Sequence, residues 1–129
     1  MTLTQPRPDL EAHRYAMRSD LPTVVREVRD LLGARLGAYV AGVGETRALH
    51  EWADGARTPG PDAQRRLRLA LQLAKLIADR DGAATAQAWF QGLNPQLDDR
   101  SPARLIREGD IDDVGGSVVA AARAFVVGG

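Results

Sequence analysis

The sequence predicts an all-α protein of about seven helices. An N-terminal helix-turn-helix bundle is joined by one long central helix to a small C-terminal helical domain. Three observations point there. Apolar residues recur at spacings of three and four in segment after segment. No stretch alternates apolar and polar residues as a half-buried strand would. The connections are short and punctuated by glycine and proline, of which the chain has 13 and 7.

The elements follow in order. Residues 1–19 are polar, hold Pro6 and Pro8, and read as a mobile arm, with at most a short helical turn around Arg14, Tyr15 and Met17. Asp20 or Thr23 then caps a helix with Pro22 in its first turn. Val24, Val25, Val28, Leu31 and Leu32 form one face of it, and Gly33 stops it. A second helix, Ala34–Ala41, buries Leu36, Tyr39 and Val40. The sequence Gly42-Val43-Gly44 breaks the pattern. Glu45–Asp54 is a third helix with Ala48, Leu49, Trp52 and Ala53 on one side, followed by Gly55 and a loop stiffened by Pro59.

Pro61–Arg80 is the central helix. Arg65, Arg68, Gln72, Lys75 and Asp79 make a single polar stripe, while Leu67, Leu69, Ala70, Leu71, Leu73, Ala74, Leu76, Ile77 and Ala78 occupy most of the remaining circumference. A helix so broadly apolar must be covered on several sides. After Asp81-Gly82 come a short helix, Ala83–Gln91, and a loop through Asn94-Pro95. A brief helix, Ala103–Glu108, is capped by Ser101 and followed by Gly109. A last helix, from about Val114 to Val126, is weakened at its start by Gly115-Gly116. The expected division is an arm (1–19), a front region (20–80) and a back region (81–129).

Composition narrows the chemistry. The 129 residues fit one compact domain, or two very small ones that share a core. Hydrophobic residues are 44% and charged residues 26%, as in an ordinary globular protein. There are 17 Lys+Arg against 17 Asp+Glu, so generic basic adhesion to nucleic acid is excluded, although a local basic face is not. Residues 1–80 carry 13 basic and 10 acidic side chains, and residues 81–129 carry 4 and 7. Such an asymmetry suits two different partners. The absence of cysteine removes disulfides, thiolate zinc sites and thiol chemistry. His13 and His50 are too few and too far apart to suggest a metal site. No apolar run approaches the roughly 18–20 residues that span a bilayer. The N-terminus has no apolar signal region, and a cytoplasmic protein is expected.

No sequence pattern of a catalytic site is present. The acids Asp98, Asp99, Asp110, Asp112 and Asp113 lack the spacing and turn glycine of a calcium loop. Asp110–Asp113 reads instead as a solvated helix N-terminus, where carboxylates favour the helix dipole. The helix pair Ala34–Ala41 and Glu45–Asp54 can cross steeply if Ala38 and Val43 allow a close approach. Leu49 and Trp52 would then pin the second helix and leave Thr46, Arg47, His50 and Glu51 outward. In a helix-turn-helix these positions face the major groove. There Arg47 can donate two bonds to guanine, and Thr46 can reach a base or phosphate. His50 is either a surface histidine or a groove-facing one. Arg57, Arg65 and Arg68 would neutralise phosphates, whereas Glu45, Glu51 and Asp54 would repel them. Trp89 and Phe90 are adjacent and point about 100° apart on a helix. Either both belong to the core or one serves as an interface anchor.

Two segments resemble a known family. Leu49-x-x-Trp52-x-x-Gly55-x-Arg57-x-Pro59 resembles the recognition helix and exit loop of Xre-type helix-turn-helix proteins. Trp89-Phe90-Gln91-Gly92-Leu93-Asn94-Pro95-Gln96-Leu97, followed by Pro102-Ala103-Arg104-Leu105-Ile106-Arg107-Glu108-Gly109, resembles the toxin-binding domain of the Xre/MbcA/ParS antitoxin family. The likeness covers residues 21–129. The chain departs from it at the glycine-rich turn, where many Xre proteins carry a Ser or Thr cap, and at Arg35, where Gln is frequent.

The resemblance implies a type II antitoxin whose C-terminal region covers the NAD pocket of a RES-domain toxin. It also implies that the protein binds its own promoter. The toxin-facing residues would be Trp89, Phe90, Asn94, Arg104, Arg107, Asp110, Asp112, Asp113 and Phe125. The expected partners are a cognate RES-domain toxin, promoter DNA and a second copy of the chain, with no cofactor, metal or membrane. The alternative is a stand-alone transcriptional regulator whose back half serves dimerisation.

Overall fold

The computed structural model describes residues 7–128 and is all-α. Among the described residues eight helices follow one another: α1 (Pro8–Arg18), α2 (Leu21–Leu32), α3 (Ala34–Ala41), α4 (Thr46–Ala53), α5 (Pro61–Asp81), α6 (Ala83–Gln91), α7 (Pro102–Glu108) and α8 (Ile111–Gly128). A 3-10 turn, Pro95–Leu97, lies between α6 and α7. Among the described residues the only extended pairing is a single bridge between Asn94 and Arg100.

α5 is the axis. Leu67, Leu69, Ala70, Leu71, Leu73, Ala74, Leu76 and Ile77 are all buried, and the helix packs against α1, α2, α3, α6, α7 and α8. One hydrophobic cluster runs without interruption from Ala12 in α1 to Ala122 in α8. The front and back regions therefore share a core. Two expected caps are in place. Asp20 accepts from the Thr23 amide at the start of α2, and Ser101 accepts from the Arg104 amide at the start of α7.

Three expectations require correction. Residues 8–18, read as part of a mobile arm, form a helix; residues 1–6 of that arm lie outside the described residues. Pro8 opens α1 with Asp9 and Glu11 in the first turn, and Ala12 and Ala16, four residues apart, are buried. Small residues at that spacing let α1 lie close on α5. Secondly, Arg65 and Arg68 of the α5 polar stripe, expected to neutralise phosphates, are engaged within the protein. Arg68 Nη1 donates to the carbonyls of Ala16 (2.7 Å) and Ser19 (2.8 Å), closing the C-terminal end of α1. Gln72 bonds the His13 ring, and Lys75 sits 4.8 Å from the centre of the Tyr15 ring. Thirdly, α8 starts at Ile111 rather than Val114, because the Asp110 side chain accepts from the Asp112 amide and the Asp110 carbonyl from Val114.

The α3–α4 approach also differs in detail. Gly37 makes a tight contact there that the sequence reading does not include. A Cβ there would lie 3.1 Å from Leu49 Cδ2 and 3.3 Å from Val28 Cγ1.

The corner between α7 and α8 generates a test. A Cβ on Gly109 would fall 2.7 Å from Val114 Cγ1 and 2.8 Å from the Leu105 carbonyl oxygen, which is backbone and cannot step aside. Gly109→Ala is expected to lower stability by about 1–3 kcal/mol in urea unfolding, as overpacking does. An unchanged midpoint would contradict this corner.

Candidate functional site

α4 carries the first candidate surface. It begins at Thr46 after the extended residue Glu45, and no side chain caps its first amides. Leu49, Trp52 and Ala53 are buried and anchor the helix inward. At its far end Arg26 of α2 donates to the Ala53 carbonyl at 2.9 Å. With its middle and its C-terminal end held, the other face is turned outward. Arg47 and His50 are exposed, and Thr46 and Glu51 are partly so.

The electrostatics of this face answer the objection of phosphate repulsion for Glu51 alone; Glu45 and Asp54 are exposed and, among the described residues, make no ion pair. Glu51 accepts from Arg47 Nε through Oε1 and from Arg57 Nη1 through Oε2, both at 2.9 Å. One carboxylate is thereby spanned by two guanidinium groups. These bonds, that of Arg57 first and that of Arg47 second, hold the Glu51 carboxyl below its usual range. Arg29 of α2 contacts His50 Nδ1 at 3.1 Å. Arginine can only donate, so Nδ1 accepts and the ring proton sits on Nε2.

Arg65 and Arg68, expected to join this surface, do not reach it. Arg68 is committed to the end of α1, and Arg65 pairs with Asp112 on α8. Both line a groove between α1 and α8. In their place the structure brings up Arg35 of α3 and Arg107 of α7. Together with Tyr39, Val43, Thr46 and Arg47 they line a cleft of about 590 Å3. The sequence signal for Arg35 was its place on the outer side of α3; nothing local marked Arg107.

The second candidate surface is at the back. Phe90 is fully buried, so it braces the core and makes no surface. Trp89 packs edge-on against it, with centroids 5.3 Å apart, and lies 6.5 Å from the Phe125 ring. Trp89, Leu93, Asn94, Pro95, Ala121 and Phe125 line an apolar groove of about 550 Å3. Trp89 is only 8% exposed and forms its floor, whereas Leu93 at 76% and Phe125 at 36% form its rim. Leu93 was not singled out by sequence, because a lone apolar residue in a loop carries no periodicity.

The other expected toxin-facing residues are scattered. Asn94 spends its side-chain oxygen on the Gln96 amide and holds the 3-10 turn. Arg104 pairs with Glu108 at 2.9 Å. Arg107 turns towards the front half, donating to the carbonyls of Tyr39 (2.8 Å) and Val43 (3.1 Å) across the Tyr39 ring. Asp110 caps α8, Asp112 meets Arg65, and Asp113 is exposed. Among the described residues no three acids or histidines gather as a metal site.

The paired arginines on Glu51 can be tested by its titration. A carboxyl with a lowered folded-state pKa adds stability above its unfolded pKa, and that stability is lost as pH falls through the folded value. In carbon-detected NMR titration Glu51 should protonate at lower pH than the other exposed glutamates. Arg57→Ala should move it back towards the ordinary value, and by more than Arg47→Ala does. A Glu51 that titrates normally in the parent protein would remove the double bridge. Set beside known proteins, the chain matches no family model, no curated protein and no solved structure.

Proposed function

We propose that this chain is a DNA-binding antitoxin. Its α3–α4 pair acts as a helix-turn-helix, and its back groove engages and blocks an NAD-consuming RES-domain toxin. The observation that carries the DNA half is the outward face of α4. Its inner residues are pinned, its first amides are uncapped, and its central acid is neutralised by Arg47 and Arg57. Such a face suits a major groove, with α4 amides towards phosphate and Arg47 and the His50 Nε2–H towards base edges.

The toxin half is supported by the family-like run from Trp89 to Gly109 and by the rim of Leu93 and Phe125, since a partly exposed aromatic beside an apolar groove is a natural interface anchor. Of the residues first assigned to the toxin, Phe125, the floor residue Trp89 and Asn94 line this groove, and Leu93 joins them.

A stand-alone regulator is the second reading. It is favoured by the inward turn of Arg107, which makes α7 a brace for the α3–α4 turn.

The chain co-expressed with the product of the adjacent reading frame distinguishes the two. An antitoxin forms a complex and preserves cellular NAD. Phe125→Asp should abolish both while leaving helix content and duplex binding intact. Arg47→Ala should cost about 1–3 kcal/mol of discrimination between operator and unrelated duplex at fixed salt and leave protection unchanged. A complex indifferent to both Phe125→Asp and Leu93→Asp would refute the groove assignment. No complex at all would leave the regulator.

A further inference from the structure

We propose that the cleft between α3, the α3–α4 turn and α7 is a clamp for the backbone phosphates of duplex DNA, with Arg35 and Arg107 as its two jaws. It rests on the reading of α4 as a DNA-facing helix and extends that surface into the C-terminal half of the chain.

Charge and position carry the inference. Arg35 is exposed on α3 and, among the described residues, has no acidic partner. Arg107 is held in place. Its Nη1 reaches two backbone carbonyls, at 2.8 and 3.1 Å, and its guanidinium lies 4.7 Å from the Tyr39 ring centre. Among the described residues its Nε and Nη2 make no hydrogen bond, so two donors remain for a ligand. A guanidinium already fixed in its working position loses little further freedom on binding. The open first turn of α4, at Thr46, lines the same cleft. Glu45 is the one acid among the residues that line the cleft; of the acids nearby, Glu51 is engaged by Arg47 and Arg57 and Glu108 by Arg104.

Two guanidinium groups and a helix N-terminus around one open cleft match an anionic backbone. The duplex is the fitting source of phosphate, because the cleft adjoins the face that presents Arg47. Phosphate contacts position a protein without reading sequence. Arg35 and Arg107 should therefore act alike on every duplex, unlike Arg47.

The test is fluorescence anisotropy of the full-length protein with two unrelated duplexes, from about 50 to 200 mM salt. Arg35→Ala should weaken both duplexes by the same factor and reduce the slope of log K against log salt by about one. Arg35→Ala combined with Arg107→Gln should reduce it by about two. Glutamine keeps a donor for the turn carbonyls, and circular dichroism must show helix content unchanged. If Arg47→Ala weakens binding while Arg35→Ala changes neither affinity nor slope, the clamp is refuted and the α4 reading stands. If Arg35→Ala affects one duplex alone, Arg35 reads bases and the clamp is again refuted. Pyrophosphate that displaces the duplex at micromolar concentration would overturn the clamp in favour of a free-nucleotide site. A protein that binds neither duplex refutes the clamp together with the α4 reading.

Discussion

Burial of the α5 circumference is the constraint on which the remaining structure depends. Leu67, Leu69, Leu71, Leu73, Leu76 and Ile77 do not fall on one stripe, so no single neighbour can cover them. At about 1.5–3 kcal/mol for each large aliphatic side chain removed from water, the gross gain is on the order of 10 kcal/mol. That is comparable to the whole net stability of a small domain, about 5–15 kcal/mol. Six helices, α1, α2, α3, α6, α7 and α8, share in covering it. The two candidate faces are then simply the outer sides of helices recruited to shield this one.

That arrangement has a consequence for how the faces relate. A front region and a back region sharing one helix and one core cannot move as independent bodies without opening it. Arg107 adds a polar link to this apolar one, tying α7 to the carbonyls at the end of α3 and in the turn. A partner that pulls on α7 or α8 would therefore be felt at the α3–α4 turn.

Much of the fold was legible because helical periodicity is local. The apolar set of α5, the caps Asp20 and Ser101, and the inward residues Leu49 and Trp52 all declare themselves within a few positions of sequence. α1 did not, because its buried side consists of Ala12 and Ala16, which carry almost no hydrophobic signal; its fit depends on α5, fifty residues away. Arg68 of the α5 polar stripe misled for a related reason. It looks free for phosphate until the carbonyls of α1 are placed beside it.

For the sites, legibility followed the same rule. The outward set of α4 could be read from its helical phase. The Glu51 bridge needed Arg57 from beyond the helix end, and the basic cleft needed Arg107 from sixty residues further on. Adjacent Trp89 and Phe90 were separable only in three dimensions, one as groove floor and the other as core.

The most direct test of the shared spine is native-state hydrogen exchange in rising sub-denaturing urea. If α5 is the common axis, the buried amides of α3, α4, α7 and α8 should merge with those of Leu67–Ile77 into one opening with the free energy and urea dependence of global unfolding. Back helices that open at their own lower free energy, while α2–α5 stay protected, would contradict it and divide the chain into two separately stable units.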